Sequence, residues 1–565
     1  MPFFLDRFQI EILHEIFKYL LAHEILHLFY NISDRLDHIL LNYKNYSINF
    51  QSIRKSDFDL VCRLIRPEQV ISLILSDDSE TPHQSKLFLS RFSIQQFTRL
   101  QALKLIEPNG DDHLLCSYLY KIPNLVSLEI DVGIDFPSIK TGPSLKKLII
   151  NTPSDVHFDV LRRINNISVE QLRHVSLLDC PVILLQYLFH HAPQLTTLKT
   201  SLLLFEPEEI HIFTRIHQGR STTLALVSLS LSVHMPGEFV TRDYFESLLS
   251  SLQCLRQLEL IVHGGVQHPF LNAQGWEKFL VKYLPKLKTF DFKFSSIDID
   301  EKILDPFRSP FWINKKWFVA IGLGGSLLFT VPCFAPTTIS DSSPPISSDC
   351  TTLPLEQHHV FYDRITQLRF QTDQWNLPFR YNHVKELILD DPYTKVNIVD
   401  LSKVQLLVVK TSEWSLLKIV LVIKKAMPSV NHLRLICNYP SESHKYYFPD
   451  ISLPQIRKLS LPQYGEYKGK DKFNWNKVFP CVERLTASIN SKHQIVFLIE
   501  HFKSIISGSF FIGSNHLEKS HKIKVTHEWL KKHSCRLKTK TANNFICQIN
   551  NRYFFSMSFW IDEKQ

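Results

Sequence analysis

Glycine is scarce in this chain: 15 of 565 residues, about 2.7% against an average near 7%. That excludes collagen-like, glycine-linker and phosphate-loop-rich architectures. No two of the ten cysteines stand as Cys-x-x-Cys, which excludes a zinc ribbon or a thioredoxin-like motif. Spread so thinly, they read as buried reduced thiols. No polybasic tail is present, and 64 bases against 55 acids leave a net charge of only +9. The first residues, MPFFLDRFQIEILHEIF, interrupt their apolar run with acids and offer no small-residue cleavage site, so no secretory signal is expected there. A reduced compartment, cytoplasm or nucleus, is the expectation. At 44% hydrophobic and 21% charged residues, the chain has the material for a sizeable core.

What is abundant is one short pattern, apolar-x-x-apolar-x-apolar. It starts at Val70, Leu100, Leu125, Leu145, Leu172, Leu195, Leu226, Leu255 and Leu287, and again at Ile365, Val384, Val404, Val430, Ile456 and Val482. These fifteen copies are spaced 19–32 residues apart, except for one gap of 78. Alternating apolar positions predict a short strand. In seven copies a proline stands two residues before the first apolar position, ending the preceding helix and opening an extended segment. Between copies lie helix-periodic runs, such as VILLQYLFHH from Val182 and WSLLKIVLVIKKA from Trp414. Strand, turn and helix at this period are the signature of a leucine-rich repeat. The expected fold is therefore α/β: a leucine-rich-repeat solenoid, a horseshoe with parallel strands on the concave face and helices on the convex face. The Asn/Cys ladder position is filled only by Cys180 and Asn438, so the repeats are of an irregular, helix-bearing kind.

Residues 8–40 hold three helical runs with Ile12, Leu13, Ile16, Phe17 and Leu20 on one period and Ile25, Leu26, Leu28 and Phe29 on the next. The segment Glu11-Ile12-Leu13-x-x-Ile16-Phe17-x-Tyr19-Leu20, a short break, a Leu-rich helix and then Asn31-x-x-x-Arg35 resembles an F-box. Family members usually open with Leu-Pro, where this chain has Phe8-Gln9, and often carry a later Trp that is absent here. With the repeats, the chain resembles an F-box/leucine-rich-repeat protein. The resemblance implies the substrate-recognition subunit of a Skp–cullin–F-box ubiquitin ligase, with catalysis residing in its partners. It implies adaptor docking through Phe8, Ile12, Leu13, Ile16, Phe17, Leu20 and Leu26 as an apolar helix surface. The alternative is a leucine-rich-repeat scaffold whose N-terminal helices only cap the first repeat. The domains expected are 1–45, F-box-like; 60–300, first repeat block; 301–362, an irregular insertion with two strands and an exposed loop; 363–490, second block; and 491–565, a C-terminal cap.

Other features are read structurally. His23-Glu24-Ile25-Leu26-His27 matches the zinc-protease pattern, but only 22 residues precede it, too few for the sheet such a helix follows, so no metal is expected. Trp317 to Ser340 is uncharged, yet its glycines and proline fit two strands, Trp317–Ile321 and Leu327–Val331, joined by a turn, better than a membrane span. PTTISDSSPPISSDCTT reads as an exposed loop. No Ser/His/Asp order, paired-acid cleft or nucleotide fingerprint stands out, so no enzyme activity and no cofactor are expected.

The second, third and fifth positions of the pattern are expected to face concave solvent. Over fifteen copies they hold thirteen bases and five acids, nearly all of the chain's charge excess. Lys104, Lys146, Lys147, Arg173, Arg256, Arg434, Arg457 and Lys458 are the candidate substrate-binding residues, for an acidic or phosphorylated protein segment. Few aromatics interleave with them, which disfavours nucleic acid.

Overall fold

A computed structural model describes the chain except residues 1–6, 109–117, 132–139, 152–166, 168, 179, 205–208, 210–211, 213–224, 235–242, 265–270, 296–298, 323–324, 341–347, 371–379, 391–397, 411–413, 437–450, 465–473, 513–524, 539, 541–543, 551–554 and 563–565. It is a mixed α/β structure with two large, mostly parallel sheets. The first holds β1 (Tyr46–Asn49), β2 (Val70–Ser76), β3 (Ala102–Ile106), β4 (Ser127–Asp131), β5 (Lys147–Asn151), β6 (His174–Leu177), β7 (Thr197–Leu203), β8 (Ser228–His234), β9 (Gln257–His263), β10 (Thr289–Ser295), β11 (Phe318–Ile321) and β12 (Leu327–Val331). The second holds β13 (Thr338–Ser340), β14 (Gln367–Phe370), β15 (Glu386–Leu389), β16 (Leu406–Val409), β17 (His432–Leu435), β18 (Lys458–Leu461), β19 (Arg484–Ile489), β20 (Ser507–Ile512), β21 (Phe545–Asn550) and β22 (Ser556–Ile561). Among the described residues no helix is long and apolar enough to cross a membrane.

All fifteen copies of the pattern become strands, and within each sheet each lies beside the next in chain order. The first apolar residue is buried in every copy, from Val70 at 1% exposure to Val482 at 1%. The strand begins at the third position in every copy but the first, where β2 starts at Val70, and the fourth and sixth side chains enter the core, as Leu128 and Ile130 do in β4. The second position carries the register. Its carbonyl accepts two N–H groups of the following unit, using both lone pairs. Val126 O takes Lys146 N at 2.9 Å and Lys147 N at 3.0 Å, and Lys146 O takes Arg173 N at 2.8 Å and His174 N at 3.0 Å. The same double acceptance continues from Gln101 through Arg256 in the first sheet and from Thr337 through Glu483 in the second.

The prolines act more locally than the pattern suggests. Leu195 N–H donates to Ala192 O at 3.2 Å and Leu287 N–H to Leu284 O at 3.0 Å, which puts Pro193 and Pro285 at the second position of a β-turn, where the fixed φ of proline fits. The residue opening that turn is itself buried: Ile122, Ala192, Leu284, Met427, Leu453 and Phe479 are all at most 2% exposed. The repeat thus has a further apolar position, three residues before the first.

Both sheets end in the same way. A last parallel strand pairs antiparallel with the second strand of a hairpin, whose first strand lies at the edge: β10-β12-β11 and β20-β22-β21. Each hairpin serves two cores. Val319, Ile321 and Leu328 lie in the first core, while Phe318, Ala320, Phe329 and Val331, on the opposite face, lie in the second. At the chain's end, Phe559, Met557 and Phe545 belong to the second core, while Trp560 reaches the first, edge-on to Phe58 at 5.5 Å. The chain's first strands therefore meet its last hairpin. The expected cap does not merely close an open sheet end; it joins the two ends of the molecule.

Three elements were hidden from the pattern. β1 uses Tyr46-x-Ile48-x-Phe50, one residue short, and the pairing with β2 shifts register at Tyr46/Ser47 to absorb it. Thr338–Ser340 forms β13 inside the stretch expected to be a loop. Within the expected C-terminal cap, a helix over Lys492–His501 is followed by β20. In β20 the central apolar position is Gly508, because Phe559 of the last hairpin fills that space; a Cβ there stands 2.6 Å from Leu485 O and 2.9 Å from the Phe559 ring. Gly508→Ala is expected to destabilise the protein by about 1–3 kcal/mol through overpacking, read as a lower midpoint in urea unfolding, and Phe559→Leu in the same chain is expected to recover part of it.

Candidate docking surfaces

The N-terminal residues form three helices, α1 (Ile10–Phe17), α2 (Ala22–Phe29) and α3 (Asp34–Asn42). Glu24 accepts the Leu21 N–H at 2.7 Å and Ser33 Oγ accepts the Leu36 N–H at 3.2 Å, so two of the three starts are capped by side chains. Phe17 packs edge-on against Phe29 at 5.1 Å and Tyr43 at 5.2 Å, and Tyr43 against Tyr46 of β1 at 5.0 Å, which seats the helices on the first strand. The seven residues expected to dock an adaptor divide. Leu13, Phe17 and Leu26 are at most 3% exposed and belong to the chain's own core. Phe8, Ile16 and Leu20 are half-buried against it, and Ile12 is 46% exposed. Exposed beside Ile12 in sequence are Ile10, Tyr19, Leu28, Tyr30 and Leu41, none of them in the expected docking set. Six of the thirteen large hydrophobics exposed among the described residues thus fall within residues 10–41, an enrichment that single scattered surface residues do not give.

The zinc-like pattern has other employment. Glu24 caps α2, and His27 Nε2 lies 2.9 Å from Asp57 of α4 (Lys55–Leu64). Among the described residues no cluster of three or more metal-ligating side chains occurs. Among the described residues the thiols differ from expectation: only Cys180 is buried, Cys535 is exposed, and Cys62, Cys254, Cys333, Cys350, Cys481 and Cys547 are half-buried, all unbridged. Burial pushes the Cys62 thiol up to about 12 and the Cys547 thiol up to about 11, so both stay protonated and unreactive at neutral pH. Of the two ladder residues, Asn438 lies outside the described residues, and Cys180 Sγ meets the Pro181 carbonyl at 3.4 Å.

Strand residues at the third and fifth positions share one face of each sheet, opposite the core, and are mostly half-buried. Four of the seven bases there are tied to carboxylates. Lys104 bonds Glu129 at 2.6 Å and Asp131 at 3.0 Å, Arg369 pairs with Asp390, and Lys458 and Arg484 both bond Glu80, each at 2.5 Å. Lys147 and Arg434, the other candidates on this face, have no carboxylate partner among the described residues. Lys146, Arg173, Arg256 and Arg457 occupy the second position, before the strand, and all four are exposed. The eight candidate residues therefore do not make one surface.

Nothing in the residue pattern pointed to the charged seam between the chain's ends. Glu80 joins Lys458 and Arg484, Arg484 also donates to Ser52 O at 2.6 Å, and Glu483 joins Arg54 at 2.7 Å and Arg457 at 3.1 Å. Burial alone would raise the Glu80 carboxyl, but hydrogen bonds from Lys458 and Ser52 and the Arg484 charge hold it below its ordinary value. Beside the seam Lys55, with no side-chain exposure, pairs with Asp59 at 2.5 Å and lies 5.7 Å from the Trp560 ring centre. His432 sits next to Lys458 and bonds Ser460 at 3.1 Å. Burial, then the charges of Lys458 and Arg434, lower its pKa to about 4.

No protein-family model matches the chain, and no curated protein matches it.

Two outcomes follow for the seam. Glu80→Gln leaves Lys458 and Arg484 facing each other with no charge between them; a loss of about 1–3 kcal/mol is expected in urea unfolding at low salt, and Ser52→Ala, which removes only a neutral partner, is expected to cost less. His432 is a base whose folded pKa lies below its unfolded value, so it contributes no pH dependence above about pH 6.5 and destabilises progressively as pH falls from there toward 4. His432→Gln is expected to flatten the melting-temperature profile in that window; an unchanged slope would place the titrating group elsewhere.

Proposed function

We propose that this protein is the substrate-recognition subunit of a Skp–cullin–F-box ubiquitin ligase, built as an F-box-like helical domain on a leucine-rich-repeat solenoid. The observation that carries the reading is the apolar surface on α1–α3. Ile10, Ile12 and Leu28 on short helices whose other faces are packed, and Tyr19 in the turn between α1 and α2, are 46–87% exposed. A helix pair with apolar anchors held outward suits the groove of an adaptor. The chain itself supplies no reaction chemistry; it holds a bound protein near the ubiquitin-loaded enzyme, a proximity effect.

The second reading, a repeat scaffold with no ubiquitin link, has its own observation. The helices are bound to the first unit: Tyr46 OH donates to Leu40 O at 2.9 Å, and Gln69 Nε2 donates to Leu41 O at 2.9 Å and Tyr43 O at 2.8 Å. Those contacts are what a terminal cap needs. Neither contact uses the outward anchors, so the readings separate cleanly. Ile12→Glu with Tyr19→Glu is expected to abolish capture by a Skp-type adaptor in a pull-down while leaving the melting temperature within about 2 °C. Leu13→Glu or Phe17→Glu is expected to unfold the N-terminal helices instead, since each would bury an unpaired carboxylate. An intact protein that binds no adaptor leaves the scaffold reading.

A further inference from the structure

A set of exposed bases recurs at one position of the repeating units. With the strands of the repeat parallel within each sheet, the second position of each unit falls at the same edge, the first sheet carrying four of the bases below and the second sheet two. Six bases occupy it: Lys146, Arg173, Arg256, Lys288, Lys385 and Arg457, every one exposed, against one acid, Glu483. Only Arg457 has a carboxylate partner among the described residues. This contrasts with the adjoining polar face, where four of seven bases are neutralised. The edge is also rigid at its backbone, since each of these residues has its own N–H held by the preceding unit, as Arg256 N by Val227 O at 2.8 Å and Lys288 N by Arg256 O at 2.8 Å.

We propose that this edge is the receptor's docking surface for an acidic protein segment, rich in Asp and Glu or phosphorylated, laid across successive units. The assignment of that segment to a substrate rests on the receptor reading above; the binding does not. Spacing favours an extended ligand. Adjacent units are about 4.8 Å apart, so Lys146 and Arg173 on neighbouring strands engage neighbouring charges, and Arg256 with Lys288 forms a second such pair about four units on. One isolated phosphate would not need bases spread over this length. No large hydrophobic among the six residues or their turns is exposed, which removes the apolar anchors that a membrane-inserting edge uses. The same lack of exposed aromatics removes the platforms for stacking bases of single-stranded nucleic acid. Point charges alternating with Thr196, Val227 and other neutral residues suit clustered carboxylates or phosphoserines reached by flexible Lys and Arg side chains.

The test uses the full chain and a fluorescent 15-residue poly-glutamate peptide, measured by anisotropy at two salt concentrations. Binding is expected to weaken at the higher salt, and Lys146→Glu/Arg173→Glu/Arg256→Glu/Lys288→Glu is expected to weaken it at least about tenfold. Lys147→Glu/Lys199→Glu, on the polar face, is expected to change it less than about threefold. If the quadruple variant loses its native circular dichroism, Lys146→Gln/Arg173→Gln tests the same edge. Undiminished binding by folded edge variants, or loss confined to the polar-face variant, overturns the surface. A duplex RNA of equal charge that binds more tightly than the peptide and is lost with the same edge substitutions overturns the ligand class. Adaptor capture is read in parallel: edge variants that still bind adaptor but not peptide separate this proposal from the receptor reading itself.

Discussion

Everything in this molecule depends on one backbone arrangement, the carbonyl before each strand that accepts two N–H groups from the next unit. It fixes register without side chains, so residues at that position are free to vary from Val126 to Lys146 to Thr196. It also forces the buried first apolar residue of each unit above that of the last. The helices differ in length and some units are short, from 19 to 32 residues, yet the strands stay aligned because this link does not depend on what the rest of the unit does. In many units a β-turn precedes it, opened by a buried residue and often containing proline.

The two hairpins supply what the ladder cannot. A parallel stack has open edges, and an exposed edge invites pairing with another chain. Here each stack ends in an antiparallel hairpin whose two faces are apolar, so one face completes its own core and the other enters the core of the opposite sheet. One such junction is made within continuous chain between β10 and β13. The other joins the two ends of the chain and adds ion pairs around Glu80 and Glu483 to the apolar contact of Trp560 with Phe58.

Much of the strand order was legible because the same burial requirement recurs in every copy of the pattern, and the strand Leu327–Val331 was legible because glycine and proline bracket it. The elements that escaped did so for local reasons. Tyr46 and Phe50 satisfy the core with aromatics in a unit one residue short, and Gly508 leaves its place to a ring from another strand; neither looks like a repeat until its neighbours are known. The basic residues were recognised but placed on a single face. Counting by position in the pattern treats residues before and within the strand alike, whereas the pairing of Lys104, Arg369, Lys458 and Arg484 with carboxylates from other units is a tertiary fact. The same holds for the N-terminal helices, where the helical period showed which residues were apolar but not which of them the first strand would cover.

The account assigns the adaptor to the outward anchors of α1–α3 and the acidic segment to the strand edge, two surfaces with no residue in common. Sedimentation velocity on the full chain mixed with a Skp-type adaptor and the poly-glutamate peptide tests that claim directly. The account predicts one species containing all three, with the peptide's affinity unchanged by saturating adaptor. Displacement of the peptide by the adaptor, or failure of the protein to form a complex with either, would contradict it.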